Sequence, residues 1–311
     1  MLDKIKSVMF GHAVGDAIGV PVEFCNRSML RQCPVTTMMG FGTYDVPAGT
    51  WSDDTSMSLC ALHSLAKGNI DYYDIMDNFE KWYYDNEFTA TGVMFDIGNT
   101  CAEAIRAYVK LQCRPQYCGS IDEMSNGNGS LMRIHPFVLY AYFNNTADTN
   151  DFIDMIKDAS SLTHAHSCSV EGCLIYAYIL KELLNNPVKE SVYNGLEQAK
   201  HYVNDGNKYY NRLLNNDIGT YKNEHIKSSG YVVDTLEAAV WCLLTTESYK
   251  ECVLKAVNLG GDTDTIAAIA GGLAGALYGL DSIPTEWIET LHNKELIENM
   301  CNRAYNNWEV K

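Results

Sequence analysis

Two short segments carry more carboxylates than their local structure requires. Gly49-Thr50-Trp51-Ser52-Asp53-Asp54-Thr55 and Gly260-Gly261-Asp262-Thr263-Asp264-Thr265 each stand at the start of a stretch with helical periodicity. Ser and Asp are good N-caps and complement the positive end of a helix dipole, which accounts for one such residue per helix. Each segment has three or four, and crowded carboxylates repel one another unless cations neutralise them. Two over-acidic helix starts about 210 residues apart therefore read as two halves of one metal site. Hard oxygen donors, with no Cys or His in either segment, suit Mg²⁺ or Mn²⁺ rather than Zn²⁺. Four aspartates, with the hydroxyls of Ser52 and Thr265, are enough for two cations, an arrangement used in hydrolysis.

Other segments offer binding chemistry alongside a simpler structural role. In Gly11 to Phe24 the glycines at 11, 15 and 19 recur every four residues, the spacing of close helix packing, while Asp16 and Glu23 can face a ligand. No strand leads into these glycines, so they are not a dinucleotide fingerprint. Ser125-Asn126-Gly127-Asn128-Gly129-Ser130 runs into a helix. Its backbone N–H groups can cradle phosphate, or it is an ordinary Asn-Gly turn. It lacks the Gly-Lys-Ser/Thr ending of a P-loop. His164 and His166, two residues apart before another helix, suit either a metal or capping and hydrogen bonding, and no Ser-His-Asp arrangement can be assembled from spacing.

The elements that must position these residues are helical. Apolar periodicity predicts helices over 55–67, 72–82, 100–111, 131–143, 169–184, 188–203, 233–244, 249–257, 263–278 and 285–292, and alternating strand patterns are nearly absent. The class is all-α. Residues 204–230, rich in Asn, Tyr and Lys, read as an exposed excursion or a poorly capped helix. The strongest motifs lie on both sides of them, so residues 1–311 are read as one domain. No 20- to 50-residue repeat is visible, which argues against a solenoid.

Composition narrows the partners. The 311 residues are 47% apolar, and 39 acidic against 23 basic side chains give a net charge of −16. That balance disfavours unspecific binding to nucleic acid or anionic membranes. Eleven scattered cysteines without a Cys-x-x-Cys pair read as buried free thiols of a cytoplasmic protein. The N-terminus has no secretory pattern. The apolar run 266–280 is too short to span a membrane and reads as a buried helix packed through small residues.

In combination these motifs resemble the ADP-ribosylglycohydrolase family, in the family's order and across Gly11 to about Trp287. The Trp-Ser-Asp-Asp-Thr and Gly-Gly-Asp-Thr-Asp-Thr pair is the specific part. The resemblance implies a compact orthogonal multi-helix bundle with two Mg²⁺ or Mn²⁺ ions, held by Ser52, Asp53, Asp54, Asp262, Asp264 and Thr265, at the base of an ADP-ribose cleft. It implies diphosphate binding at Gly127, Asn128, Gly129 and Ser130, ligand contacts at His164 and Tyr231, and a gating or catalytic role for Glu23. Phe95-Asp96-Ile97-Gly98 resembles the segment of the dinitrogenase reductase-activating branch in which the aspartate transfers a proton. Asp96 is thus the first candidate for that proton, with a plain helix cap as its other reading. The implied reaction is hydrolysis of the N-glycosidic bond of ADP-ribosylated arginine on a protein substrate, by a chain read as a monomer. Serine-, ester- or nucleotide-linked ADP-ribose, and a non-catalytic ADP-ribose-binding protein, are the alternatives.

Overall fold

In a computed structural model, residues 1–203, 206–215 and 218–308 are described. The α-helices in chain order are α1 (Leu2–Gly19), α2 (Arg27–Gln32), α3 (Asp53–Leu65), α4 (Tyr72–Asp85), α5 (Asn99–Leu111), α6 (His135–Phe143), α7 (Asn150–Ser161), α8 (Ser167–Asn185), α9 (Glu190–Ala199), α10 (Gly206–Tyr209), α11 (Asn211–Leu214), α12 (Val232–Leu244), α13 (Tyr249–Val257), α14 (Thr263–Tyr278), α15 (Thr285–Thr290) and α16 (Lys294–Asn307). Among the described residues there is no strand, only isolated bridges joining Ser120 to His164 and Gly127 to Tyr231. The all-α expectation holds.

Local chemistry sets the ends of these helices. Asp71 caps α4 by accepting from the N–H groups of Tyr73 and Asp74 at 3.0 and 3.2 Å, and the helix stops where Asn86 turns left-handed at φ 61°. The predicted helix over 131–143 is a 3₁₀ turn, Leu131–Arg133, followed by α6 with Pro136 in its first turn, where a missing N–H is tolerated. Helix α7, not foreseen, buries Phe152, Ile153, Met155 and Ile156. Helix α16, also not foreseen, buries Ile297, Met300 and Cys301. Within 204–230, residues 204, 205, 216 and 217 lie outside the described set. The remainder is not an exposed excursion: Tyr210, Leu213, Leu214, Ile218 and Ile226 are buried, so short turns anchor it to the core.

The centre of the bundle is the antiparallel pair α1 and α14. A Cβ added at Gly11 would meet the Gly271 carbonyl oxygen at 2.5 Å, and one at Gly19 would meet Asp264 Cα at 2.3 Å. Gly271 and Gly275 return the contact, against the carbonyls of Gly11 and Ser7. The four-residue glycine spacing is thus a backbone-to-backbone seam, and the apolar run 266–280 is the buried helix opposite it. The seam puts the C-terminal half of α1, with Asp16, beside the N-terminus of α14, with Asp264. Gly15→Ala would place its Cβ 2.1 Å from the Ala267 carbonyl oxygen. The propensity gain of Ala in a helix, about 1 kcal/mol, is smaller than the roughly 3 kcal/mol cost of forcing two packed backbones apart. The variant is expected to unfold at lower denaturant concentration, and an unchanged midpoint would contradict the seam.

Eight of the eleven free cysteines are buried, as expected of structural thiols. No described helix is long and apolar enough to cross a membrane.

Candidate metal and substrate site

Asp16 is the residue around which the site is built. Its side chain, fully buried on α1, accepts from the Ser52 N–H at 2.9 and 3.1 Å, the Ser52 hydroxyl at 2.9 Å, the Thr55 N–H at 3.1 Å and the Thr55 hydroxyl at 2.6 Å. A carboxylate from another helix thereby takes the free Thr55 N–H at the start of α3, while the N-cap residue Ser52 accepts from the Asp54 N–H at 3.4 Å. Asp53 and Asp54 are released from capping.

Asp54 points into the interior, where the hydroxyls of Ser52 and Thr265 lie 3.2 and 3.3 Å from its Oδ2. One oxygen each from Asp16, Asp54 and Asp264 lie within 4.8 Å of one another, and Glu23, Asp96 and Asp264 form a second such group. Asp264 belongs to both. Asp53 lines the cavity above, and Asp262 accepts from the Asn128 amide at 2.8 Å. The two acidic segments that lie so far apart in sequence do meet, joined by Asp16, Glu23 and Asp96.

Electrostatics sharpens this. Burial, then repulsion among the carboxylates, pushes Asp53, Asp54 and Asp264 well above the usual carboxylate range. Burial raises Asp16 to about 6, against the opposing hydrogen bonds from Thr55 and Ser52. Burial, with Asp96 nearby, raises Glu23 to about 8. Such a cluster needs protons or cations. Asp54 Oδ1, Asp262 Oδ1 and Asp264 Oδ2 are buried and accept no hydrogen bond. Unpaired, hard, anionic oxygens in close groups fit divalent cations.

The cleft over the cluster is a cavity of about 350 Å³. Asp96 and Glu23 lie on its wall, and the Tyr44 hydroxyl donates to Glu23 Oε2 at 2.6 Å. Asp96 is left-handed, with φ 53°, and α5 takes Gly98 as its N-cap residue, so Asp96 is not a helix cap. Burial raises its pKa, with Asp262 adding repulsion.

Across the cleft, Gly127, Asn128 and Gly129 line the cavity with His164. The Asn128 N–H donates to the Gly230 carbonyl at 3.1 Å, pinning this loop to the start of α12. Ser130 lies lower: its hydroxyl meets Ser160 and Cys173 at 3.0 and 3.5 Å in the core, so only its backbone remains to serve a ligand. Arg133, buried and unremarked in the sequence, donates to the Thr163 hydroxyl at 2.7 Å. That hydroxyl also meets His164 Nδ1 at 2.8 Å, and Nε2 lies on the Gly127 side of the ring. Burial and the Arg133 charge lower His164 to about 3, so it is neutral. His166 instead caps α8, accepting from the Cys168 N–H at 3.2 Å. Tyr231 lines an adjoining cavity of about 370 Å³ that shares Gly127 and Gly230 with the first.

Sequence reasoning read Asp16 only as able to face a ligand, with its place beside the glycine repeat as the signal. Tyr44 and Arg133 had none, since neither lies in an acidic or glycine-rich motif.

The sequence profile of the ADP-ribosylglycohydrolase family matches residues 1–311. The chain is 34% identical over 309 residues to ADP-ribosylarginine hydrolase Tri1 of Serratia proteamaculans, covering 98% of this chain and 79% of that protein. It is 32% identical to the ADP-ribosyl-[dinitrogen reductase] glycohydrolase of Rhodospirillum rubrum, covering 94% and 91% of the two chains. A solved structure described as an ADP-ribosylglycohydrolase-related protein complex superposes with a TM-score of 0.82 at 31% identity, covering 99% of each chain.

Proposed function

The chain belongs to the ADP-ribosylglycohydrolase family of glycosyl-bond hydrolases, and from that premise we propose that it releases ADP-ribose from arginine side chains of modified proteins in a reaction that requires two Mg²⁺ or Mn²⁺ ions. The observation that carries the reading is the set of buried, unpaired carboxylate oxygens on Asp54, Asp262 and Asp264 beneath a cleft lined by glycines and a neutral histidine. Asp16, Ser52, Asp53, Asp54, Asp262, Asp264 and Thr265 would hold the cations. When bound, the ions supply Lewis acidity to water and to ribose hydroxyls and neutralise the carboxylates.

The chain's own residues do the rest. The loop 127–130 and His164 receive the diphosphate, a set that binds an anion without a positive side chain. Tyr231, with its half-exposed ring beside the second cavity, takes the far end of the ligand. Attack at the anomeric carbon passes through an oxocarbenium-like state, which nearby carboxylates stabilise. Asp96 moves the proton, and Glu23, one of whose oxygens lies within 4.8 Å of an Asp96 oxygen, shares that role.

The test is release of ADP-ribose from ADP-ribosylarginine. Release should vanish with chelator and return with Mn²⁺ or Mg²⁺. Tight binding of ADP-ribose without turnover in an excess of either metal would overturn the assignment in favour of a binding protein.

A further inference from the structure

Phe24 is the anomaly of the cleft. An aromatic side chain follows Glu23 in the left-handed region, φ 63°, which bulky residues rarely adopt. Its ring is 69% exposed and lines the main cavity rather than the core. The backbone holds it there deliberately: the Phe24 N–H donates to the Gly261 carbonyl at 2.7 Å, and the Gly261 N–H donates back to the Cys25 carbonyl at 2.8 Å. Gly260 and Gly261 are themselves left-handed, and Gly261 allows the close approach, since a Cβ there would lie 2.0 Å from the Ser228 carbonyl oxygen. The residue after Gly261 is Asp262. The Phe24 backbone is therefore fixed relative to the acidic floor of the site, in a conformation that costs strain.

The surrounding chemistry says what such a ring is for. Glu23, Asp53, Asp96 and Asp262 line the same cavity, and none of the described lining residues is Lys or Arg. A flat aromatic face beside carboxylates, with no competing cation, recognises a planar cation: stacking and quadrupole attraction act on its face while acids accept from its edge. We propose that Phe24 is an acceptor-reading residue, whose ring stacks on the guanidinium of the modified arginine while Glu23 and Asp96 face its N–H groups. This rests on the arginine-directed hydrolase reading and deepens it, because it locates acceptor choice at the Glu23-Phe24 turn and apart from the loop and histidine that take ADP-ribose.

The experiment compares wild type, Phe24→Leu and Phe24→Trp in the metal-loaded enzyme. Two quantities are measured: kcat/KM on an ADP-ribosylarginine peptide, and the inhibition constant of free ADP-ribose, which lacks the acceptor. Phe24→Leu keeps an apolar side chain without a π face, and should lose roughly tenfold in kcat/KM while the ADP-ribose constant moves less than about twofold. Phe24→Trp should recover most of the loss. Equal kcat/KM for Phe24→Leu and wild type overturns the proposal. So does a parallel loss of ADP-ribose affinity, which would put the ring against the nucleotide half or report a damaged fold. A wild-type enzyme that binds ADP-ribose yet releases none from arginine sinks the functional reading itself and this inference with it, and that outcome is visible before any variant is made.

Discussion

Asp264→Asn is expected to cut the rate of ADP-ribose release by roughly a hundredfold or more and to weaken Mg²⁺ or Mn²⁺ binding in parallel. Asp264 is the carboxylate common to both three-oxygen groups, so one substitution degrades each of them. Asn keeps the size and one oxygen but removes the charge that a hard cation requires. The fold has other anchors at this point, since the Thr263 hydroxyl donates to the Gly19 carbonyl at 2.8 Å and holds the start of α14 against α1. Circular dichroism should therefore be unchanged. A further sign separates a ligand from a structural residue. In the metal-free protein Asp264 is a buried acid whose ionised form is disfavoured by burial and then by repulsion from Glu23 and Asp54. Neutralising it should stabilise the metal-free protein at pH 8 even as it abolishes metal-dependent activity. Full activity of Asp264→Asn with chelator present would contradict the site as built. Asp54→Asn, beneath the same cavity, should behave alike.

The second large effect concerns stability without metal. Asp16 and Glu23 have folded-state pKa values raised to about 6 and about 8, chiefly by burial. An acid whose pKa is raised on folding contributes stability below its unfolded pKa and loses it as pH rises through the folded value. Two buried imidazoles pull the other way at lower pH: burial depresses His12 to about 4 and His135 well below the ordinary range, so they favour folding as pH rises toward 6.5. Above that point both histidines are neutral folded or unfolded, and the Glu23 carboxyl is left to titrate with the raised carboxyls of Asp53, Asp54 and Asp264, all with the same sign. The chelated protein should accordingly melt at progressively lower temperature between pH 6.5 and 9. Mn²⁺ should restore the melting temperature, by more at pH 9 than at 6.5, because cations and protons compete for the same oxygens. Thermal melts at both pH values, with chelator and with Mn²⁺, decide it. A metal effect that is flat or shrinks with pH would mean the cations bind elsewhere.

Much of this architecture was legible before any coordinates. Periodicity placed Tyr249–Val257 and Thr263–Tyr278 with their observed ends, because a strong apolar stripe bounded by Ser, Asn, Asp and Gly leaves little freedom. The seam of Gly11, Gly15 and Gly19 was readable from spacing alone. Helices α7 and α16 escaped because polar and charged residues separate their buried apolar positions, and only packing shows which face turns inward. The 3₁₀ turn before α6 escaped for the opposite reason, since an apolar run has the same pattern whether or not Pro136 interrupts it.

The sequence by itself determined the helical class and the crowding of acids at two helix starts, because both depend only on neighbours along the chain. It also carried the negative charge that demanded cations or protons. Only the tertiary structure decided what each acid does. Asp16 is satisfied by four donor groups from the start of α3, where Ser52 is the N-cap residue, so neither Asp53 nor Asp54 caps the helix. Asp54 and Asp264 are left with buried, unpaired oxygens. Side-chain type supplies a carboxylate in all three cases. Its role is set by the solvent it loses and the donors it finds, and both come from contacts between α1, α3 and α14 that no local stretch of sequence contains.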